Sequence, residues 1–471
     1  MISITARRAS HEIDMTEGKL FPKILKFALP LMATGVLQLL FNAADMIVVG
    51  SFVSDTALAA VGSTSSLVTL LVNFFIGLSM GAGIAMSKSY GAHDGESGRR
   101  ILHTSIPLSL ISGIIITVAG LLFAEKILVI MDTPDTCLPL ACEYLDIYFC
   151  GAVFNLLYNF GAAILRATGD TVRPLLFLTI AGIINVIVNL ISVIVFDMGV
   201  AGVAYATVAS QAVSAILIMI TLATNKGYAK LELKKLHIYK TELITILKLG
   251  IPSGLQNSLF SLSNVLIQKT VNGFGETYMA GNTTSMQLEA FVYTLMNSVA
   301  NTAVTAIGQN YGANKYDRIK RAILECVCFA AVVGMVTGAL ILLLHEPLIS
   351  LYTTKPQSAT VAYERMQLYL TTYFLCGIMD VMNCSMRGLG CSLMPMIIVL
   401  VGTCVLRIFW ILVIFPLNPV YISVIVSYPI SWTLTATAGA IAFSTVFKKK
   451  SRAFAEKAAL TAAPNTAKIA D

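Results

Sequence analysis

Charged side chains are scarce in this chain. Asp, Glu, Lys and Arg make up 12% of 471 residues, about half of the roughly 25% usual in a soluble domain. Metal-binding and redox signatures are also lacking: nine cysteines are scattered without a CxxC pair, and Cys326-x-Cys328 has no histidine nearby to complete a knuckle. Cys137 and Cys142 share one loop and are expected to remain thiols. No HExxH and no pair of intramembrane acids at protease-like spacing occurs, and nothing resembles a pore-lining filter or charged ring. Residues 1–20 are polar, and the apolar run that follows is much longer than a signal h-region, so no cleavable signal is expected. With Met1-Ile2 at the start and no cysteine near the C-terminus, neither myristoylation nor prenylation is expected. These absences argue against a soluble enzyme, a disordered protein, a nucleic-acid binder and a channel, despite the net charge of +7.

What is abundant is apolar surface. The hydrophobic share is 56%, and the mean hydropathy is +0.80. About 20 apolar residues span a bilayer as a helix, and twelve such runs occur, near 24–50, 57–87, 101–123, 144–165, 174–196, 200–223, 243–270, 278–309, 322–344, 365–385, 395–415 and 420–447. Backbone polar groups in lipid must pair internally, so the runs are predicted helices; the ten-residue alternation of a barrel is missing. Flanking them are an N-terminal segment (1–23), a lysine-rich linker (224–242) carrying Lys226, Lys230, Lys234, Lys235 and Lys240, and an Ala-rich basic tail (448–471) expected to be disordered. The two lobes are thus 24–223 and 243–447.

Basic residues orient the spans. With twelve spans and both termini on one side, all but five of the 32 lysines and arginines fall on that side. The exceptions are Lys126, Lys269, Lys355, Arg365 and Arg407. That side is expected to be cytoplasmic.

The two lobes repeat. Lys26-Phe27-Ala28-Leu29-Pro30 matches Lys248-Leu249-Gly250-Ile251-Pro252, and Tyr90-Gly91-Ala92 matches Tyr311-Gly312-Ala313. The same spacing carries Arg100 to Arg321, Tyr148 to Tyr369, Arg166 to Arg387, Gly169 to Gly390 and Pro174 to Pro395. Six spans per lobe make these parallel repeats, and the cavity between them is the natural substrate site. Gly77/Gly81 and Gly334/Gly338 are GxxxG pairs suited to close helix packing. Pro30 and Pro252 lie in the first turns of the first and seventh spans, where they either start or kink the helix.

Ionisable groups inside spans are costly and mark function. Asp45, Glu289, Asp380 and Arg407 are the four well inside these segments. At a rise of 1.5 Å per residue, Asp45, Asn185, Asn189 and Thr207 share a depth about five to eleven residues from the outer ends of their helices. A carboxylate, two amides and a hydroxyl are hard oxygen ligands that suit a proton carried on Asp45, or Na⁺. The bland alternative is that Asn and Thr simply join helices. Glu289 and Arg407 both fall near the midplane, which suggests an ion pair in the second lobe, either functional or merely structural. Asp380 is nearer the inner end and expected to face the inner vestibule. Three acids against one base weakly favour cationic or amphipathic substrates. Tyr148, Tyr158, Met286, Tyr293, Met296, Tyr373 and Phe374 either line an adaptable cavity or pack as ordinary helix contacts.

Several stretches together resemble one family. They are Pro30…Asn42…Asp45 with Gly50, Ala59-Ala60-Val61-Gly62, Gln309-Asn310-Tyr311-Gly312-Ala313, and the paired Arg166-x-x-Gly169 and Arg387-Gly388-Leu389-Gly390 turns. Over about residues 15–447 the chain resembles the multidrug and toxic compound extrusion (MATE) transporters, most like the bacterial DinF-like branch. The resemblance implies an all-α membrane protein of the bacterial inner membrane, with V-shaped six-helix lobes and no enzymatic activity. It implies export of small cationic or amphipathic compounds in exchange for H⁺ or Na⁺, with no cofactor, metal or nucleic acid, by a chain acting as a monomer among membrane lipids. Asp45, Asn185 and Thr207 match the family's first-, fifth- and sixth-span cation residues, and Glu289 its eighth-span acid. Asn189 stands where many members have Asp, which weakens the case for Na⁺. Asn42, Tyr148, Glu289, Asp380 and Arg407 are the remaining candidates, for a substrate or second-lobe polar site. A lipid-linked flippase of the same superfamily is the nearest alternative. The loop Gly91–Arg100 lacks the Asp-Arg core that a major-facilitator loop would carry.

Overall fold

The computed structural model describes residues 12–462 except 132, 226 and 228. Arg7, Arg8, Lys226, Lys468 and the outer parts of the two terminal segments lie outside the described residues. Helices account for nearly everything else, as lipid demands of a chain so poor in charge. The first lobe comprises α1 (Leu20–Phe52), α2 (Asp55–Gly91), α3 (Gly95–Ile130), α4 (Leu138–Cys150), α5 (Ala152–Ala167), α6 (Val172–Leu190) and α7 (Gly199–Thr224). The second comprises α8 (Lys240–Asn272), α9 (Glu276–Gly312), α10 (Tyr316–Leu343), the short α11 (His345–Ser350), α12 (Pro356–Thr372), α13 (Phe374–Gly388), α14 (Leu393–Val399), α15 (Leu406–Phe409) and α16 (Tyr421–Ala462).

Among the described residues, nine helices are long and apolar enough to cross a membrane, or ten if α4 and α5, bent by 48° at Gly151, count as one span. The expected spans at 243–270 and 365–385 are α8 and α12–α13. They are more polar because α8 carries Ser253, Gln256, Asn257, Ser261 and Ser263, and α12–α13 carry Arg365, Asp380 and Arg387.

The repeat is visible in the backbone as well as in the sequence. Each lobe breaks its fourth span at one place, Gly151 in the first and Tyr373 in the second. Each widens a later span into a π-turn, Ile191–Val195 and Trp410–Ile414. His93 and Asn314 adopt φ of 55° and 58°, closing the turns after α2 and α9. Gly169 and Gly390 adopt φ of 98° and 81° at the ends of α5 and α13, a region that favours glycine.

The lobes meet along α2 and α8. A methyl on Gly77 would overlap the backbone of Gly254, and one on Gly81 would fall 2.6 Å from the Gly250 nitrogen. Two GxxxG pairs, one per lobe, therefore let the backbones touch. Gly334 and Gly338 do the same within the second lobe, against Met296, Phe374 and Leu370. The interlobe contacts concentrate toward the end of the bundle that bears the termini, where Gly91 packs on the Gln309 backbone and Gly312 on Lys88. This closed end is called the base below. Farther from it, Asn42 on α1 and Leu255, Leu259 and Leu262 on α8 are exposed.

One expectation fails at the tail. Residues 448–462 continue α16 as helix, because Lys, Ala, Phe and Glu are competent helix formers extending an existing span. Lys450 anchors this extension by donating to the Leu389 carbonyl at 2.8 Å and the Tyr311 hydroxyl at 3.2 Å.

Candidate functional site

The first lobe gathers its polar residues around Asp45. α1 and α6 pack side by side, which brings Asp45 to Asn189: the amide Nδ2 donates to Asp45 Oδ1 at 2.6 Å. Asn185 lies one turn earlier on the same face of α6. Both asparagines are buried, at 5% and 0% exposure. The Oδ1 atoms of both accept no hydrogen bond from the protein. Thr207 on α7 donates to its own Val203 carbonyl at 3.0 Å and lies beside the Tyr144 hydroxyl, with Asp45 close to that ring. Tyr148, one turn along α4, stacks on Tyr144 with ring centroids 6.0 Å apart and sits beside the Gln211 amide, whose buried Oε1 is also unpartnered.

Asp45, Asn189, Asn185 and Thr207 thus form one cluster, and Tyr148 belongs to its edge rather than to the second lobe. Asn42 is exposed on α1. Tyr144 and Gln211 are members that the sequence reading passed over; each lies one helical turn from a residue it did select, Tyr148 and Thr207.

The second lobe departs from expectation. Glu289 pairs with Arg365, not with Arg407. Arg365 Nη2 and Nε donate to the two carboxylate oxygens at 2.8 and 2.9 Å, and Nη1 donates to Asn282 Oδ1 at 2.7 Å. Ser285 also donates to Glu289, and the Tyr421 hydroxyl donates to Asn282 Oδ1 at 3.1 Å. The cause is positional: α12 packs directly on α9, which brings its one arginine to the Glu289 carboxylate. Arg407 instead donates to Ser431 Oγ at 2.9 Å and lies 4.2 Å from the Tyr428 ring centre. That ring also receives Arg365 at 5.5 Å. Arg365 was one of the five basic residues off the expected side, a signal that it is held by a buried partner.

Asp380 is half-buried. It lies on α13 against Tyr293 and Asn297 of α9, with Arg387 nearby, and one carboxylate oxygen is buried without a partner. Arg387 donates to Gln256 Oε1 at 2.8 Å and approaches Met80 Sδ of the other lobe at 3.3 Å.

Two six-span repeats with polar clusters in their interiors describe a transporter fold, and comparison with known proteins decides which. The MatE family profile matches residues 30–191 and 252–413, one stretch in each lobe. The chain belongs to the MatE family. Among its relatives, the probable multidrug resistance protein YoeA of Bacillus subtilis is 29% identical over 402 residues, covering 83% of this chain and 86% of that one. The probable multidrug resistance protein NorM of Thermotoga maritima is 25% identical over 389 residues, covering 81% and 82%. An outward-facing structure of a multidrug resistance MATE transporter superposes with a TM-score of 0.89 at 22% identity, covering 95% of this chain and 100% of that one. A Pyrococcus furiosus transporter of the same superfamily, described as having a binding pocket of reversed polarity, gives 0.88 at 22% identity over 94% and 99%. These structures share the fold.

As a member of the MatE family, which is a transporter family and not an enzyme family, the chain is a multi-pass membrane transporter of the multidrug efflux class. Gly77-Leu78-Ser79-Met80-Gly81 spells the GxSxG of a hydrolase elbow. Here it runs through the middle of α2, and Ser79 donates to its own Ile76 carbonyl at 2.7 Å. An elbow needs a sharp strand-to-helix turn that exposes the serine, so this MatE glycine pair serves packing.

Proposed function

We propose that this protein is an antiporter that expels small cationic or amphipathic compounds in exchange for a proton carried on Asp45. The observation that carries the reading is the Asp45–Asn189 contact of 2.6 Å in a cluster with three unpartnered amide oxygens. An acid held among polar groups inside the membrane is the element a proton-driven transporter requires. Asn189 turns its nitrogen toward Asp45, so one of the oxygens a sodium ion would use faces away. A proton on Asp45 needs no such rearrangement.

In the working cycle the base faces the cytoplasm, both termini lie there, and the membrane is the bacterial cytoplasmic membrane. A closed base corresponds to the outward-open state of this cycle. Protonation of Asp45 from outside removes its charge, α1 repacks against α6 and α7, and substrate leaves the cleft. The lobes then rock, the proton leaves inward, and substrate rebinds to a single chain. For an uncharged substrate, one proton crossing about 150 mV contributes roughly 3–4 kcal/mol, enough for a gradient of a few hundredfold at most per proton; a singly charged cation exchanged one for one moves no net charge, and only the pH difference drives it.

The test is ethidium efflux from liposomes reconstituted with the pure protein, driven by a pH gradient or a Na⁺ gradient separately. Efflux driven by the pH gradient alone is expected. Efflux that follows only Na⁺ would replace the coupling ion, and efflux indifferent to both would overturn the antiport reading.

A further inference from the structure

We infer that residues 12–19, ahead of α1, are a strap that locks the base and must release before the lobes can open there. This rests on the rocking cycle proposed above.

The strap is fixed to the first lobe covalently through α1, and Ile13 N–H donates to the Gly169 carbonyl at 3.3 Å. The second lobe grips it through main-chain atoms. Met15 N–H donates to Gln309 Oε1 at 2.8 Å, and the Met15 carbonyl accepts from Asn310 Nδ2 at 3.1 Å and Arg318 Nη2 at 3.0 Å. The next three carbonyls are taken in turn: Thr16 by Lys315 Nζ at 2.9 Å, Glu17 by Arg318 Nη2 at 3.1 Å, and Gly18 by Arg318 Nη1 at 3.0 Å. Gln309 closes the link by donating from Nε2 to Ala167 of the first lobe at 2.9 Å. Asp14, Met15 and Thr16 are at most 5% exposed. A loose terminal segment does not become buried with consecutive carbonyls satisfied.

The repeat argues that this grip is specialised. Gln309, Asn310, Lys315 and Arg318 correspond, at the repeat spacing of Tyr90 to Tyr311, to Lys88, Ser89, Asp94 and Ser97. Those four line an open cavity of about 420 Å³ beside the start of α8. The linker ahead of α8 is held differently: Glu232 and Tyr239 N–H donate to His103 Nε2 and Thr104 Oγ1 of α3, so among the described residues the run of main-chain carbonyls taken by Lys315 and Arg318 belongs to the strap ahead of α1. Because the strap crosses from one lobe to the other, separation at the base must break these bonds together. Separation at the opposite end breaks none of them.

The experiment uses the full chain with Glu17→Cys and Arg318→Cys, in a background where exposed Cys150 and Cys328 are replaced by serine. Spin labels on the loops after α2 and α9, carried on genetically encoded residues that leave the cysteines to the cross-linker, report the base distance, and ethidium efflux is read in parallel. Without a cross-linker, loss of Arg318 is expected to raise the ratio of base-open to base-closed molecules by at least about tenfold, since it removes three hydrogen bonds from a charged donor and one such bond alone is worth about that factor. Bridging the two cysteines with a short bismaleimide is expected to abolish base opening and efflux. Gln309→Ala, which leaves the charges intact, is expected to shift the ratio in the same direction. A base that opens and transports normally with the strap cross-linked would overturn the lock. So would variants whose base-open ratio matches the parent. If the parent itself never opens at the base under a pH gradient with substrate, the rocking cycle fails instead.

Discussion

Arg365→Met is expected to be among the most destabilising single changes in the second lobe. Its side chain makes three charge-assisted hydrogen bonds, two to Glu289 and one to Asn282, at 2.7–2.9 Å, and the paired side chains are only 2% and 4% exposed. Removing one member strands the other charge in the packing of α9 against α12, at a cost of about 3–5 kcal/mol. Such a loss lowers the melting temperature of a unit the size of one lobe by about 6 °C or more. Glu289→Gln alone strands Arg365 and is expected to cost a similar amount. The double variant Glu289→Gln with Arg365→Met removes both charges and is expected to recover most of the loss. Thermal unfolding of the four purified proteins in one detergent gives the coupling energy, which should exceed about 2 kcal/mol. The same cycle on Glu289 and Arg407 should be additive to within about 0.5 kcal/mol. Additivity for Glu289 with Arg365 would refute the reasoning. Ethidium efflux by the double variant then assigns the role: retained efflux makes the pair a structural tie, and a stable but inactive double variant makes Glu289 a working acid.

Other consequences are simpler to check. Gly77→Leu should force α2 away from the Gly254 backbone and destabilise the protein by about 1–3 kcal/mol, read as a lower unfolding temperature; unchanged stability would place the α2–α8 contact elsewhere. Asn189→Asp replaces the amide donor 2.6 Å from Asp45 with a second carboxylate, and two carboxylates so close share a proton or hold a cation. That variant should gain a several-fold stimulation of efflux by millimolar Na⁺ that the parent lacks, and indifference to Na⁺ would contradict the oxygen-ligand geometry assigned to the cluster.

Much of the architecture was legible because lipid leaves few choices. Charge is so rare that apolar runs, the sides of the basic loops and the repeat spacing could be read directly from the residues. Depth was also readable from helical rise, which put Asp45 and Asn189 at one level. Azimuth was not. Glu289 and Arg407 share a depth yet sit on faces that do not meet, while Arg365, nearer a helix end, is the residue that α12 turns toward α9. Tyr144 and Gln211 were hidden for the same reason, since a tyrosine or glutamine in a span signals nothing until its neighbours are known. The strap is a different case. Its grip uses main-chain carbonyls, which carry no sequence signature, and only the side chains that hold them, Gln309, Asn310, Lys315 and Arg318, differ from their counterparts in the first lobe.

The most direct test of the coupling mechanism is substrate-driven proton movement in liposomes containing either the parent or Asp45→Asn. The asparagine keeps the size of the side chain and an oxygen for Asn189 to donate to, but it cannot carry a proton. The parent should take up or release protons when ethidium is added and should move ethidium uphill on a pH gradient. Asp45→Asn should do neither while remaining folded in the membrane. Uphill transport by Asp45→Asn at the parent's rate would contradict the assignment of the proton to Asp45.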